Sequence, residues 1–208
     1  MGFYARQVFP RLMDWMLGGA VFARERDGAL AEVGGEVLEI GFGTGLNLAH
    51  YPPTVRRLTA LDNADLLPAV VARRIAAATF PVERVQLDAA GLPFPDARFD
   101  TVVSTWTLCS IPDVAAALRE IRRVLRPEGA YVFLEHGRSD EPAVARWQDR
   151  LNPLQRRIGC GCNLNRPIDA LVRDAGFTIT RLDRYLLPGP RAFGSMYRGR
   201  ATGDAPRA

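Results

Sequence analysis

The sequence predicts an α/β fold: a parallel sheet with helices on both faces, preceded by a helical cap. Three observations predict it. From Val37 onward, short apolar runs alternate with helical patterning. The runs are rich in Val, Ile and Leu and nearly continuous, as strands buried on both faces are. In "EVLEIGFGTG" a strand meets a helix through three closely spaced glycines. Such a turn lets a ligand approach the backbone at the carboxyl edge of the sheet.

Residues 1–34 form the predicted cap. Phe3, Tyr4, Val8, Phe9, Leu12, Met13, Met16 and Leu17 recur at roughly helical spacing, and Pro10 starts or kinks that helix. A second helix is expected over 20–33, ended by Gly34-Gly35. The α/β core is expected over 35–200. Its first five strands are read at 37–40, 58–61, 82–87, 101–105 and 131–135. Helical patterns fall at 46–50, 66–78 and 113–125. Beyond Glu141 the reading is a helix over 142–151, an irregular stretch "NPLQRRIGCGCNLNR", a helix over 167–175 and strands at 177–182 and 195–200. Residues 201–208 read as a frayed tail. Neither a repeat nor a domain boundary is visible, so one domain is expected.

Composition narrows the function classes. The chain has 208 residues, 48% hydrophobic and 24% charged, enough for a full core without metals or staples. No apolar run approaches the ~20 residues of a membrane span, and the start lacks a signal-peptide layout. A cytoplasmic location is expected, with peripheral membrane contact allowed by the net charge of +4. All 27 basic residues are arginine, which excludes a Schiff-base or phosphate-loop lysine. The arginines are scattered, so nucleic acid is not expected as a partner. Cys109, Cys160 and Cys162 make no disulfide framework, and with two histidines they show no usual zinc spacing. No metal is expected.

The loop Gly41-Phe-Gly43-Thr-Gly45 disfavours a pyrophosphate ligand. A dinucleotide fingerprint needs a third glycine where Leu46 stands, and a phosphate loop needs Gly-Lys-Ser or Gly-Lys-Thr. Glu39, just before the loop, would repel a pyrophosphate and suits a cationic ligand. S-adenosylmethionine carries an ammonium and a sulfonium, and the helix start after Gly45 can support its carboxylate. Asp62 ends the second strand and can accept from both ribose hydroxyls, although nicotinamide proteins place an acid there too. Asp88, after the third strand, can accept from the adenine amino group, with the backbone of Ala89 completing that contact. Asn63 and Thr105 fall at the same edge of the sheet.

The pieces "EVLEIGFGTG", "LTALDN", "LDAAGLPFPDARFDTVVSTWTLCSIPD" and "ALREIRRVLRPEGAYVFLEH" together resemble the class I S-adenosylmethionine-dependent methyltransferases over residues 36–136. The resemblance implies a Rossmann-like fold with seven strands, mostly parallel, the last one antiparallel. "GTGLNLAHYPP", "TLCSIPD", "RVLRPEGAYVFLEHG", Trp147, "GCNLNR" and "AGF" are similar to the methyltransferase-like 7 family, membrane-associated enzymes linked to alkyl thiols. This sequence shows no long hydrophobic anchor like theirs at its start. The implied activity is methyl transfer to a small, fairly apolar acceptor. A thiol leads, and a phospholipid amine or a quinone carbon follows. A module that binds the donor without turnover is the third reading.

Methyl transfer from a sulfonium mainly requires alignment, together with a place for the acceptor's proton. The acceptor pocket is expected over the fourth and fifth strands, near Trp106, Thr107, Cys109, Glu135 and His136. His136 is the candidate base or orienting group. His50 and Cys109 are read as structural, and Cys160 and Cys162 as part of a loop over the pocket. In the cap, Tyr4 and Arg6 are placed near the methionine part of the donor. Phe9, Leu12, Met13, Trp15 and Met16 line an acceptor route, contact lipid as an interfacial helix would, or pack in the core.

Overall fold

In a computed structural model of the chain, which describes residues 2–203, seven strands form one sheet. They are β1 (Gly35–Ile40), β2 (Val55–Asp62), β3 (Val82–Gln86), β4 (Phe99–Thr105), β5 (Leu125–His136), β6 (Phe177–Leu186) and β7 (Ser195–Gly203). Their order across the sheet is β3-β2-β1-β4-β5-β7-β6. All neighbours run parallel except β7, which is antiparallel to both β5 and β6. The last strand is therefore antiparallel, as the resemblance implied. It is inserted between β5 and β6 instead of capping the edge.

The helices are α1 (Phe9–Leu17), α2 (Ala20–Leu30), α3 (Pro68–Ala76), α4 (Val114–Val124), α5 (Pro142–Ile158), α6 (Ile168–Asp174) and the single turn α7 (Arg191–Gly194). A π-helical turn over Tyr4–Val8 leads into α1, and Leu46–His50 is a 3-10 turn. Pro10 lies in the first turn of α1, where its missing N–H costs nothing.

Successive side chains along the central strands enter different layers. Leu38, Val102, Tyr131 and Phe133 pack with α4 and α6 on one face. Val37, Val103 and Val132 pack with Leu30 and Val71 on the other. Helix α4 shows why the sequence reads clearly here. Asp113 caps it by accepting from the Ala116 N–H (2.9 Å), and Val114, Ala117, Leu118, Ile121 and Val124 form its buried stripe.

Three expectations need correction. Helix α5 continues through Pro153 to Ile158, across the first half of the stretch read as irregular. The turns beyond the proline are tied down by Gly159 N–H to Gln155 O (2.7 Å) and the Tyr4 hydroxyl to Ile158 O (2.8 Å). Strand β7 runs to Gly203, three residues into the segment read as a tail, because Ala201, Thr202 and Gly203 pair with β6. Residues 204–208 lie outside the described residues. Helix α2 ends at Leu30, short of the expected 33, and Val33 is buried in the turn that follows.

Candidate active site

The chain reverses direction across the sheet between β1 and β4, and this is where open α/β sheets bind ligands. The glycine loop sits there. Gly41, Gly43 and Gly45 have φ of +74°, +58° and +80°. A Cβ on Gly41 would meet Thr107 Oγ1 at 2.1 Å, so close contact with the β4 loop requires glycine. A Cβ on Gly43 would find nothing nearer than Gly41 O at 3.9 Å. Its bare backbone faces open space, and it lines the main cavity. Gly45 closes the loop against Phe42 and leads into the 3-10 turn.

Glu39, at 1% exposure, anchors a buried network beneath the loop. Its carboxylate accepts from Asn47 Nδ2 (2.8 Å) and from the Tyr51 hydroxyl (2.8 Å). Asn47 also donates to Thr105 Oγ1 (3.0 Å) and accepts from Arg26 Nε (2.9 Å). Arg26 is buried, donates to Leu17 O (2.7 Å), and stacks 4.8 Å over the Trp106 ring. Burial pushes the Glu39 carboxyl up to about 8, against the opposing pull of Tyr51, Asn47 and the Arg26 charge.

Asp62 stands at the end of β2. Its oxygens accept from the backbone N–H groups of Gly43 (2.7 Å) and Ala64 (3.0 Å). Burial raises its pKa, opposed by those same donors and by Asn63. Asp62 lines a small cleft of about 220 Å³ on the β3 side of the loop and is not among the residues lining the main cavity. Asn63 offers its carbonyl to Gln86 Nε2 (3.3 Å). Asp88 is exposed and accepts from the Ala90 N–H (2.9 Å), while Ala89 beside it is buried. The predicted donor residues thus fall into two groups at one sheet edge. Glu39, Gly41, Gly43, Thr105 and Tyr4 line the main cavity; Asp62, Asn63, Asp88 and Ala89 lie at or just beyond the ends of β2 and β3; Gly45 lines neither cavity and closes the loop.

The main cavity has a volume of about 730 Å³. Cap residues Phe9, Leu12, Met13, Met16 and Leu17 give it an apolar wall. Trp15, by contrast, is 79% exposed and takes no part, and Arg6 is exposed as well. Asp14 fixes the cap to the glycine loop: it accepts from Thr44 Oγ1 (2.5 Å) and from Arg74 (2.6 and 3.2 Å), which also donates to Thr44 O (2.9 Å).

On the β4–β5 side, Glu135 is fully buried and structural. It accepts from Ser104 Oγ (2.8 Å) and from the N–H groups of Thr107 (2.8 Å) and Leu108 (3.2 Å), which shapes the turn after β4. That turn holds Trp106 at φ +49°. His136 lines the cavity with its Nε2 3.2 Å from Cys162 Sγ. Cys109 lies beside this pair, and the three ligating atoms fall within 4.8 Å of one another. Hydrogen bonding from Cys109 lowers the Cys162 thiol, and Cys109 is raised correspondingly. His50 instead bonds Asp27 (2.7 Å) near the surface, in keeping with a structural role.

A family model for the methyltransferase domain matches residues 38–133. The human thiol S-methyltransferase TMT1A is 33% identical over 156 residues, which are 73% of this chain and 64% of that protein. Human TMT1B is 32% identical over 172 residues, 78% of this chain and 70% of that one. The chain belongs to the class I S-adenosylmethionine-dependent methyltransferases. It spans roughly two thirds of the length of these two relatives. Among solved structures, the Burkholderia thailandensis 1,6-didemethyltoxoflavin-N1-methyltransferase, bound to 1,6-didemethyltoxoflavin and S-adenosylhomocysteine, shares the fold. Its TM-score is 0.65 at 21% identity, covering 94% of this chain and 86% of its own.

S-adenosylmethionine is therefore the methyl donor of this enzyme, and the residues present fit it. The open side of Gly43 is a cradle that any Cβ would fill. Asp62 flanks the loop, where a carboxylate favours a cation and opposes a diphosphate, while Glu39 lies beneath the loop as a buried acid whose oxygens serve Asn47 and Tyr51. Sequence reasoning missed Asp14, Arg26, Thr44, Asn47, Tyr51 and Arg74. The available signal was Asp14, a charge set among apolar neighbours in α1; Arg26 lies in the charged run Arg24-Glu25-Arg26-Asp27 and carried none.

Proposed function

We propose that the enzyme methylates a small, fairly apolar thiol. The carrying observation is the cavity itself: one space is bounded by the glycine loop, by the apolar face of α1 and by the His136–Cys162 pair. The TMT1A and TMT1B relatives, named as thiol S-methyltransferases, support the same acceptor class.

Bound S-adenosylmethionine supplies a methyl group already activated on a sulfonium. The chain's part is to bind and align. Gly41 and Gly43 bring backbone against the donor, Asp62 takes the ribose hydroxyls, and Asp88 with the Ala89 backbone holds the adenine. Glu39, Asn63, Thr105 and Tyr4 complete the donor's seat. The cap wall of Phe9, Leu12, Met13 and Met16 excludes water and takes the acceptor's alkyl part. His136 stands at the acceptor sulfur, where it orients or deprotonates it.

A labelled-methyl assay across alkyl thiols, phospholipid amines and quinones tests this reading. Thiols should be labelled at least tenfold faster than the other classes. Preferential labelling of a lipid amine or a quinone would replace the thiol. In His136→Ala, turnover should fall at least tenfold while calorimetric donor affinity stays within twofold. Undiminished turnover would remove His136 from the acceptor side.

A further inference from the structure

We infer that Cys109, His136 and Cys162 form a three-ligand site for a soft divalent cation of the zinc class, with its open coordination position facing the acceptor cavity. Two sulfurs and one imidazole nitrogen converge from three separate segments: the turn after β4, the end of β5 and the loop after α5. Their ligating atoms lie within 4.8 Å of one another, with Cys162 Sγ and His136 Nε2 at 3.2 Å. With zinc–sulfur near 2.3 Å and zinc–nitrogen near 2.0 Å, tetrahedral ligand atoms stand about 3.5–3.8 Å apart, so small adjustments admit the ion. Sulfur and imidazole donors suit zinc and exclude magnesium and calcium.

The backbone holds this set in place. Asn163, next to Cys162, donates both its N–H (2.9 Å) and its Nδ2 (2.8 Å) to the carbonyl of Cys109. The two cysteine segments are thus locked together beside the ligating side chains. Cys160 (φ +50°) and Gly161 (φ +98°) make the bend that turns Cys162 inward. Cys109 Sγ also contacts Trp106 O at 3.6 Å, within the turn that Glu135 shapes. All three ligands line the cavity. Three protein ligands with a fourth position open to a pocket is the layout of catalytic zinc sites.

This site deepens the thiol reading and rests on it for the fourth ligand. With the ion bound, His136 is its ligand and orients the acceptor instead of serving as the base; a thiol that coordinates the ion gives its proton to solvent and becomes a thiolate at neutral pH. The thiolate sulfur attacks the donor methyl; the new sulfur–carbon bond forms as the sulfonium–methyl bond breaks. The product thioether is neutral, a weaker ligand, and leaves.

Cobalt(II) titration of reduced, metal-depleted protein tests the site. One ion per chain should bind, with a thiolate-to-cobalt charge-transfer band that an alkyl thiol perturbs. Cys109→Ser and Cys162→Ser should each weaken binding at least 100-fold, whereas Cys160→Ser leaves it unchanged. Donor calorimetry on each variant checks folding. No uptake, or uptake indifferent to both serine variants, overturns the inference. Full-rate thiol methylation by metal-depleted protein and by Cys109→Ser overturns it too, while leaving the thiol reading intact. A cobalt site with no methylation of any thiol leaves the ion assignment standing and rejects the acceptor reading instead.

Discussion

Glu39 joins the sequence signal to the chemistry. It is the acid that argued against a phosphate ligand, and it lies buried with two neutral donors on its oxygens. Its folded pKa is raised to about 8, far above the unfolded value of 4.5. Between those two values the unfolded chain releases a proton that the folded protein keeps. Glu39 therefore makes stability fall as pH rises from about 4.5 to about 8, by at most ~1.4 kcal/mol per pH unit. Urea midpoints of the ligand-free protein from pH 5 to 8 should decline less steeply in Glu39→Gln than in the parent. Parallel slopes would contradict a protonated Glu39. Asp62 supports a second prediction. Its oxygens already accept one backbone N–H each and keep lone pairs for two hydroxyls. Asp62→Ala should raise the donor Kd about 10–100-fold, the worth of hydrogen bonds to a charged group. An unchanged Kd in calorimetry would reject the ribose role.

At the scale of elements, α1 walls the main cavity, the acceptor space of the proposed reading. It presents apolar side chains to the cavity and is fixed to the glycine loop by Asp14 through Thr44 and Arg74. The Asp14–Arg74 pair is about a fifth exposed on each side, so its net worth is modest. Asp14→Ala should cost about 1–2 kcal/mol in urea unfolding and raise the acceptor KM several-fold, with a smaller change in kcat. An acceptor KM identical to the parent would show that the cap does not shape the acceptor's seat. The strands and α4 were legible because local pattern decides them: apolar runs for the sheet, and a cap residue followed by a period-3.6 stripe for the helix. Helix α5 was not. Pro153 signals a break, and among the contacts that hold the helix beyond it is that of Tyr4 with Ile158, 154 residues apart, which local pattern does not reveal.

Across the whole molecule, the sheet edge was readable because each strand delivers its acid or glycine where the strand ends. Glu39, Asp62 and Asp88 needed only their order along the chain. The clusters that finish the site were not readable in that way. Arg26 reaches Asn47 and Trp106, Asp14 reaches Thr44 and Arg74, and Cys162 meets His136 and Cys109 only once the cap and the α5 loop have folded onto the edge. Asp14, Arg26, Thr44, Asn47 and Arg74 alone read as surface or core side chains; His136, Trp106, Cys109 and Cys162 are each placed near the pocket by the sequence, but not in contact with one another. In the proposed reading, the donor seat and the acceptor wall meet at Gly41 and Gly43, which line the same cavity as the apolar face of α1 and His136. A crystal structure with S-adenosylhomocysteine tests that arrangement most directly. The ligand should lie along the glycine loop with its ribose hydroxyls on Asp62, its adenine beside Asp88 and Ala89, and its sulfur facing the space between α1 and His136. Electron density for the ligand on another edge of the sheet, or with its sulfur turned away from His136 and the apolar cap wall, would contradict the account.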